Sequence, residues 1–170
     1  MTDEYLGVDE SPVSHADVTT VAHHLDARGV AYETVEHEAT MTARADARAA
    51  DVDPSETAKN VVLTDGEVYV LAVIPASEVL DLHKVRRVIG DDKELRMATE
   101  TEMAETFPAF EIGAIPPVGS LVFASEVIDE RLLKQDRVLC GGGDHRHSLR
   151  LDPNELARIT DASVGDVCAD

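Results

Sequence analysis

The sequence predicts an α+β fold, with a mixed, barrel-like β-sheet and peripheral helices. Three observations favour it: two β-branched runs that meet at an Asp-Gly turn, helix caps that recur between apolar runs, and the lack of repeats or long linkers. A chain of 170 residues that is 44% hydrophobic can bury one core. We therefore expect a single domain over residues 14–170, preceded by a flexible acidic tail over residues 1–13.

In the first half of the chain, helices and strands alternate. Residues 17–28 place apolar side chains at helical spacing and end at Gly29, which predicts a helix. The next predicted elements are a strand over residues 32–36, an alanine-rich helix over residues 42–50 and a helical turn over residues 53–56. That turn leads into a strand that starts near Lys59, and Asp65-Gly66 joins this strand to an apolar strand over residues 68–74.

The second half continues with the same kinds of signal. Ser77 is expected to cap a helix that runs to Ile89, and a short strand is predicted over residues 95–98. Thr99 and Glu102 form the capping-box pattern of the next helix. The remaining predicted elements are strands over residues 110–115, 120–124, 137–140 and 147–151 and a final helix that begins after Asp152.

Charge is the second strong feature of the sequence. Acidic residues number 34 against 15 basic ones, which gives a net charge of −19, and the acids are dispersed along the whole chain. Dispersed acidity with scarce lysine is typical of a halophilic protein, whereas adaptation to a basic partner would concentrate the acids in blocks. In about 1 M salt the Debye length is about 3 Å, so this net charge does not exclude an RNA ligand.

Two function classes are disfavoured. The chain has no apolar stretch of about 18 residues and no basic-then-apolar leader, so we expect a cytoplasmic protein with no membrane partner. Cys140 and Cys168 are its only cysteines, and their wide separation argues against a disulfide framework.

Lys59 is the first candidate functional residue. It stands at the start of an apolar strand, where an ammonium group is costly unless it is paired or takes part in function. A lysine directed into a cleft fits that position. An edge-strand lysine that prevents aggregation or reaches out to water fits it equally well.

Two loops could also contribute chemistry. The loop over residues 113–119 combines glycines with two prolines, so that its N–H groups could stabilise an oxyanion, although an ordinary strand connection has the same composition. The loop over residues 141–147 lacks the features of a phosphate loop. Cys140, His145 and His147 are plausible metal ligands without a fourth partner, so a substrate-facing loop is favoured over a metal site.

These motifs occur along the chain in the same order as in a known protein family. Tyr32 to His37 precede the first short helix, and Ala58-Lys59 opens the central strand. Further along come Val-Ile-Pro-Ala at 73–76, Leu-Arg-Met-Ala at 95–98, the loop at 113–119, three glycines at 141–143 and the segment 149–156. From about residue 18 to residue 156 the chain resembles the YbaK/EbsC-type aminoacyl-tRNA editing family, found within or beside prolyl-tRNA synthetases. It departs from that family at Asn60, where threonine is frequent, and at Ala114, where a second glycine is frequent.

The resemblance implies a barrel-like domain that hydrolyses the ester between a wrong amino acid and tRNA, typically alanine or cysteine on a proline tRNA. It implies no obligatory metal or cofactor, and the expected partners are the acceptor end of an aminoacyl-tRNA and a prolyl-tRNA synthetase. Lys59 and Gly113 match the family's functional lysine and glycine and are the predicted catalytic residues. Substrate contacts are predicted for His37, Thr42, Ile115, Pro117, Gly119, Gly142, His145 and Ser148.

The residue types in these loops also indicate which kind of hydrolytic mechanism to expect. The loops carry no Ser-His-Asp or Cys-His set, so we expect a positioned water, activated by the ribose hydroxyl of the substrate, instead of a covalent nucleophile. Since the sequence includes no synthetase or anticodon-binding domain, editing is expected in trans. The alternatives are a non-catalytic module that binds tRNA or protein and a metal-dependent hydrolase.

Overall fold

Two β-sheets that contribute side chains to one hydrophobic cluster form the centre of the molecule. The computed structural model describes residues 18–90, 94–111, 113–121 and 124–170 of the chain. The predicted acidic tail lies outside these residues. None of the described helices is long and apolar enough to cross a membrane.

The elements follow one another with short connections. The helices are α1 (Val18–Ala27), α2 (Ala43–Ala49), α3 (Leu82–Ile89), α4 (Glu100–Thr106), α5 (Glu130–Leu133) and α6 (Pro153–Thr160). The strands are β1 (Tyr32–Glu36), β2 (Ala58–Thr64), β3 (Tyr69–Pro75), β4 (Arg96–Met97), β5 (Ser125–Asp129), β6 (Val138–Gly141), β7 (His147–Leu151) and β8 (Ser163–Gly165). Short 3-10 turns occur at Pro54–Glu56 and Gly119–Leu121.

The larger sheet is mixed and has the strand order β4-β2-β3-β5-β8. Strand β2 pairs antiparallel with β3 and β4, whereas β5 runs parallel to both β3 and β8. The smaller sheet, β1-β7-β6, is antiparallel. A parallel bridge between Thr57 and Leu139 links the two sheets, and the described strands form no closed barrel.

Alternation along β3 divides the hydrophobic core into two layers. Leu71 and Val73 face a cluster that also contains Leu149 and Leu151 of the smaller sheet. The intervening residues Val70, Ala72 and Ile74 face a second cluster, in which α3 contributes Val85 and the C-terminal segment contributes Val167 and Cys168. Side chains of a strand alternate between its two faces, so one central hairpin supports both layers.

Local sequence signals account for the main turns. Asp65 Oδ1 accepts hydrogen bonds from the N–H groups of Glu67 and Val68, and Gly66 has the positive φ of 102° that the β2–β3 turn requires. Thr99 and Glu102 form the predicted capping box of α4. The α+β class and the predicted hairpin are thus confirmed.

Several predicted boundaries were wrong. Asp81, not Ser77, caps α3, because its carboxylate accepts from the N–H groups of His83 and Lys84. The described residues of segments 110–115 and 120–124 form turns and a 3-10 turn in place of strands. Strand β5 begins at Ser125, and neither β5 nor β8 was predicted.

Candidate functional site

A cleft of about 360 Å³ opens along the free edge of β2. The beginning of α2, the loop after residue 112 and the end of β6 close its other sides. Its lining consists of residues 58–62 of β2 together with Met41, Thr42, Ala43, Asp46, Met97, Ala98, Met103, Gly113, Ile115 and Gly141. The cleft therefore brings together chain segments that are up to about a hundred residues apart.

Among the described residues, no strand pairs with this edge of β2 before Leu63, because the neighbouring strand β4 is short. Strand β4 pairs only with Leu63 and Thr64, and the last hydrogen bond of this edge joins Ala98 N to Val62 O. In an antiparallel ladder the N–H and C=O of one residue point to the same side, and alternate residues point to opposite sides. The main-chain groups of Asn60 therefore face the cleft, like the carbonyl of Val62.

Lys59 lies at this edge with its ammonium group half-buried. Its Nζ donates a hydrogen bond of 2.9 Å to the carbonyl oxygen of Glu78. Burial lowers the pKa of Lys59, and the nearby charge of Arg44 lowers it further, whereas Glu78 acts in the opposite direction. The predicted lysine is thus a cation held in place by a fixed acceptor in a partly dehydrated site.

Asn60 is a cleft residue that the sequence analysis did not select. Its Nδ2 donates to the carbonyl oxygen of Ile115, and its Oδ1 is buried with no hydrogen-bond partner among the described residues. Buried amide oxygens are normally paired, so Oδ1 is a ready acceptor for a donor that enters the cleft. The available signal was an asparagine within an apolar strand, directly after the lysine.

Gly113 lies opposite β2 with a φ of +91°, in the region that favours glycine. A Cβ at this position would lie 3.0 Å from Met41 O and 3.3 Å from His145 Cε1. Glycine thus lets the loop approach both the entry to α2 and the side chain of His145. The N–H of the next residue, Ala114, is already engaged with Glu111 O at 2.9 Å.

His37 and Ser148 lie behind the wall of the cleft. His37 Nε2 is 2.9 Å from Ser148 Oγ and 3.9 Å from an oxygen of Asp46, which lines the cleft. His37 Nδ1 is 2.8 Å from the carbonyl oxygen of Glu38, so this nitrogen donates its proton there. The Thr40 hydroxyl donates to the same Asp46 carboxylate. This network fixes the orientation of Asp46 at the cleft.

The other predicted contact residues divide into two groups. Thr42 and Ile115 line the cleft, and His145 reaches Gly113 from the neighbouring loop. Pro117, Gly119 and Gly142 are buried and are not part of the lining. Gly119 N instead donates to Glu126 Oε1 at 2.6 Å, and Gly142 N donates to His147 O at 3.2 Å.

Glu126 anchors the far end of the same loop. The residue is only 5% exposed, and burial raises the pKa of its carboxyl to about 8. The hydrogen bond from Gly119 N opposes this shift but is the smaller effect. Near neutral pH the loop is therefore tied to a largely uncharged carboxyl group.

Within the described ranges, no group of three or more His, Cys, Asp or Glu side chains is arranged to hold a metal ion. Cys140 is buried in β6, and burial raises the pKa of its thiol to about 12. His147 Nδ1 is 2.9 Å from a carboxylate oxygen of Asp144. Cys140 is thus a buried thiol, whereas metals bind the thiolate form of cysteine, and the His147 ring is engaged with Asp144.

Comparison with known proteins gives a family match. The model of a family described as the aminoacyl-tRNA editing domain matches residues 37–159, which include both β2 and the loop that carries Gly113. This matched range covers most of the chain. It begins at His37 and ends within α6.

Solved structures give a consistent picture. A protein described as a candidate trans-editing enzyme for prolyl-tRNA synthetase matches with a TM-score of 0.79 at 32% identity, over 94% of this chain and 99% of that one. The hypothetical protein APE2540 matches with a TM-score of 0.79 at 28% identity, over 88% of this chain and 99% of that one. A candidate signal transduction protein from Marinobacter aquaeolei VT8 shares the fold, with a TM-score of 0.66 at 18% identity, over 88% of this chain and 30% of that one.

Proposed function

Because the chain belongs to the aminoacyl-tRNA editing domain family, we propose that it hydrolyses the ester bond of a mischarged aminoacyl-tRNA, acting in trans. The observation that carries this proposal is the convergence of Lys59, Asn60 and Gly113 on one cleft. At about 360 Å³, the cleft is near the lower end of the usual range for small-molecule sites, about 300 to 1,000 Å³. It would suit a small aminoacyl group and part of the terminal ribose.

The reaction is the addition of water to the ester carbonyl carbon. A tetrahedral intermediate forms, the bond from that carbon to the ribose oxygen breaks, and a proton that originates from the water ends on the ribose oxygen. The products are a free amino acid and an uncharged tRNA. The step needs a positioned water and a site for the negative charge on the carbonyl oxygen.

Each of the three residues has a role in this proposal. The Lys59 ammonium supplies a positive point charge for the carbonyl oxygen or the terminal phosphate. A main-chain N–H of the Gly113 loop other than that of Ala114, which is engaged, donates to the oxyanion, and one well-aimed donor is worth about 3 to 4 kcal/mol. Asn60 Oδ1 accepts a hydrogen bond from the α-ammonium group of the substrate. The substrate's own ribose hydroxyl orients the water.

The proposed substrate is alanine or cysteine esterified to a proline tRNA. The apolar part of the lining, with Ile115 and three methionines, favours a small side chain over a charged one. Size selection in such a pocket gains only about 1 to 3 kcal/mol per methylene, which is why a second editing site is useful after a synthetase has made an error. A prolyl-tRNA synthetase is the proposed partner upstream, in line with the description of one structural relative.

The experiment is deacylation of alanyl- and cysteinyl-tRNA(Pro), with prolyl-tRNA(Pro) as the correctly charged control. We infer a halophilic protein from the net charge of −19, so the assay is run in low salt and in about 2 to 3 M KCl, where charge repulsion is screened. Lys59→Ala should abolish release of the amino acid while the protein stays folded. Lys134→Ala changes an exposed lysine of the same kind and serves as the matched control.

Three outcomes separate the alternatives. Selective release that is lost in Lys59→Ala supports the proposal and identifies the substrate. Release that Lys59→Ala leaves unchanged contradicts the role of Lys59. Folded protein that binds aminoacyl-tRNA in that salt, without releasing any amino acid from a wider set of aminoacyl esters, would identify a non-catalytic binding module instead.

A further inference from the structure

The last five residues, 166–170, form a segment that we name the C-terminal clasp. It pairs antiparallel with the chain that follows β3: Ala169 N donates to Val79 O at 2.7 Å, and Asp81 N donates to Val167 O at 2.9 Å. A bridge between Leu80 and Cys168 lies between these two hydrogen bonds. The clasp therefore fixes the main chain immediately after Glu78.

Charged side chains hold the clasp in place. Lys84 Nζ donates to Asp166 at 3.0 Å, to the carbonyl oxygen of Cys168 at 2.7 Å and to Asp170 at 2.7 Å. Arg131 adds a 2.9 Å hydrogen bond to Asp166. Lys84 therefore contacts both ends of the clasp.

The inner side of the clasp is equally constrained. Asp129 is fully buried, and its Oδ2 accepts from Val167 N at 2.9 Å. The Val167 and Cys168 side chains are also fully buried, in the core layer that β3 and α3 share. This combination of apolar packing and hydrogen bonds excludes water from the region that the clasp covers.

The clasp is directly connected to Lys59. The carbonyl oxygen of Glu78, one residue before the paired Val79, accepts the hydrogen bond from Lys59 Nζ. The charged groups that act on this ammonium come from two elements, Arg44 from α2 and Glu78 from the chain after β3, whereas the clasp contributes the buried Cys168 side chain. The clasp thus fixes the chain next to the acceptor of the Lys59 ammonium and helps to exclude water from its surroundings.

We propose that the C-terminal clasp positions the ammonium group of Lys59, with Lys84 as the positioning residue that holds the clasp closed. Fixing residues 79–81 fixes the Glu78 carbonyl, and this carbonyl determines where the Lys59 ammonium lies along the cleft. The effect on turnover rests on the proposed hydrolysis. The effect on Lys59 itself does not, and can be measured without any substrate.

The test uses Lys84→Met, Lys84→Arg and a chain that lacks Ala169 and Asp170. Trace amine labelling of the intact protein across a pH series, read by mass spectrometry, gives the reactivity and apparent pKa of Lys59 in each variant. The chain has only four lysines, so the Lys59 signal is well separated. Arg158→Met, which breaks the remote ion pair with Glu155 on α6, is the control.

We expect the apparent pKa of Lys59 to rise toward its ordinary value of 10.5 in Lys84→Met and in the shortened chain, because a loosened clasp admits water. Lys84→Arg should restore most of the normal profile. In the deacylation assay, kcat should fall about tenfold in Lys84→Met while KM changes by less than about twofold, since orientation is lost and binding is not.

The proposal is overturned if neither Lys84→Met nor the shortened chain changes the labelling profile of Lys59, whatever happens to the melting temperature. A lower melting temperature with an unchanged Lys59 profile would make the clasp a purely structural element. Failure of the proposed function has a different signature: the wild-type protein would release no amino acid, and the labelling measurement would still decide the role of the clasp.

Discussion

The side-chain amide of Asn60 donates a hydrogen bond to the carbonyl oxygen of Ile115, so the strand that carries Lys59 is joined directly to the loop that carries Gly113. These residues are 55 positions apart in the chain. This hydrogen bond therefore links two walls of the cleft directly. Any substitution that removes the Asn60 donor should change the position of Lys59 relative to Gly113.

Asn60→Asp should lower kcat/KM about 10- to 100-fold, because a carboxylate cannot donate to Ile115 O and places an acceptor against an acceptor. The measurement is steady-state deacylation, together with a melting curve to confirm folding. Asn154→Asp changes the only other asparagine, which is exposed on α6, and should leave kcat/KM unchanged. Equal activity in Asn60→Asp and the wild type would show that the link between strand and loop does not matter for turnover.

Gly113→Ala should reduce kcat strongly, since the new Cβ would meet Met41 O at 3.0 Å and the loop must shift to avoid it. Gly66→Ala provides the control for backbone strain alone: its φ is also positive, at +102°, but a Cβ there meets nothing within 4 Å. Both variants should melt at a lower temperature, consistent with a strain cost of about 1 kcal/mol. Loss of activity in Gly66→Ala as well would mean that strain, not loop position, explains the effect.

Glu126→Gln should make stability less dependent on pH. The folded-state pKa of Glu126 is raised from 4.5 to about 8, so the stability that its protonated form contributes is complete below about pH 4.5 and is lost as pH rises through about 8. Glutamine keeps the acceptor for Gly119 N and cannot ionise. The melting temperature of the variant should therefore exceed that of the wild type increasingly from about pH 5 to about pH 9.

The control for that experiment is Glu130→Gln, on the exposed side of the start of α5. It should leave the pH dependence as in the wild type. A constant offset between Glu126→Gln and the wild type at every pH would show that Glu126 ionises normally in the folded protein.

Ser148→Ala should lower the free energy of unfolding by about 1 to 3 kcal/mol, because it leaves the buried His37 Nε2 without its 2.9 Å partner. Denaturant titration measures this loss, and Ser125→Ala, at an exposed serine, is the matched control. If Ser148 contacts substrate, as the sequence analysis predicted, KM should rise as well. An unchanged KM with a clear loss of stability would show that the His37–Ser148 pair stabilises the wall of the cleft and does not contact substrate.

Short-range signals in the sequence predicted the fold well where side chains act on their own backbone. The β2–β3 hairpin and the capping box at Thr99 depend on residues within four positions of each other. Strand β5 was missed for the opposite reason. Its acidic residues Glu126 and Asp129 are typical of a surface, yet both are buried, and their carboxyl groups accept from the N–H groups of Gly119 and Val167, outside the strand.

The candidate site was predictable only in part for the same physical reason. Lys59 could be selected because an ammonium group in an apolar strand is unusual, whatever surrounds it. The role of Asn60 depends on its hydrogen bond to Ile115, and the role of the clasp depends on the hydrogen bond between Lys59 and Glu78. Both contacts exist only after the chain has folded. The resemblance selected Gly113, which the structure places in the same cleft as Lys59, together with Pro117 and Gly119, which are not part of the lining.

The methionines in the cleft wall make the site vulnerable to oxidants. Met41, Met97 and Met103 all line the cleft, and Met41 and Met97 are 66% and 63% exposed. Their flexible thioethers can adapt to side chains of different shape, but oxidation to the sulfoxide makes them polar and bulkier. Peroxide should therefore reach the cleft before it reaches the core, so that the proposed deacylation would be lost while the protein is still folded.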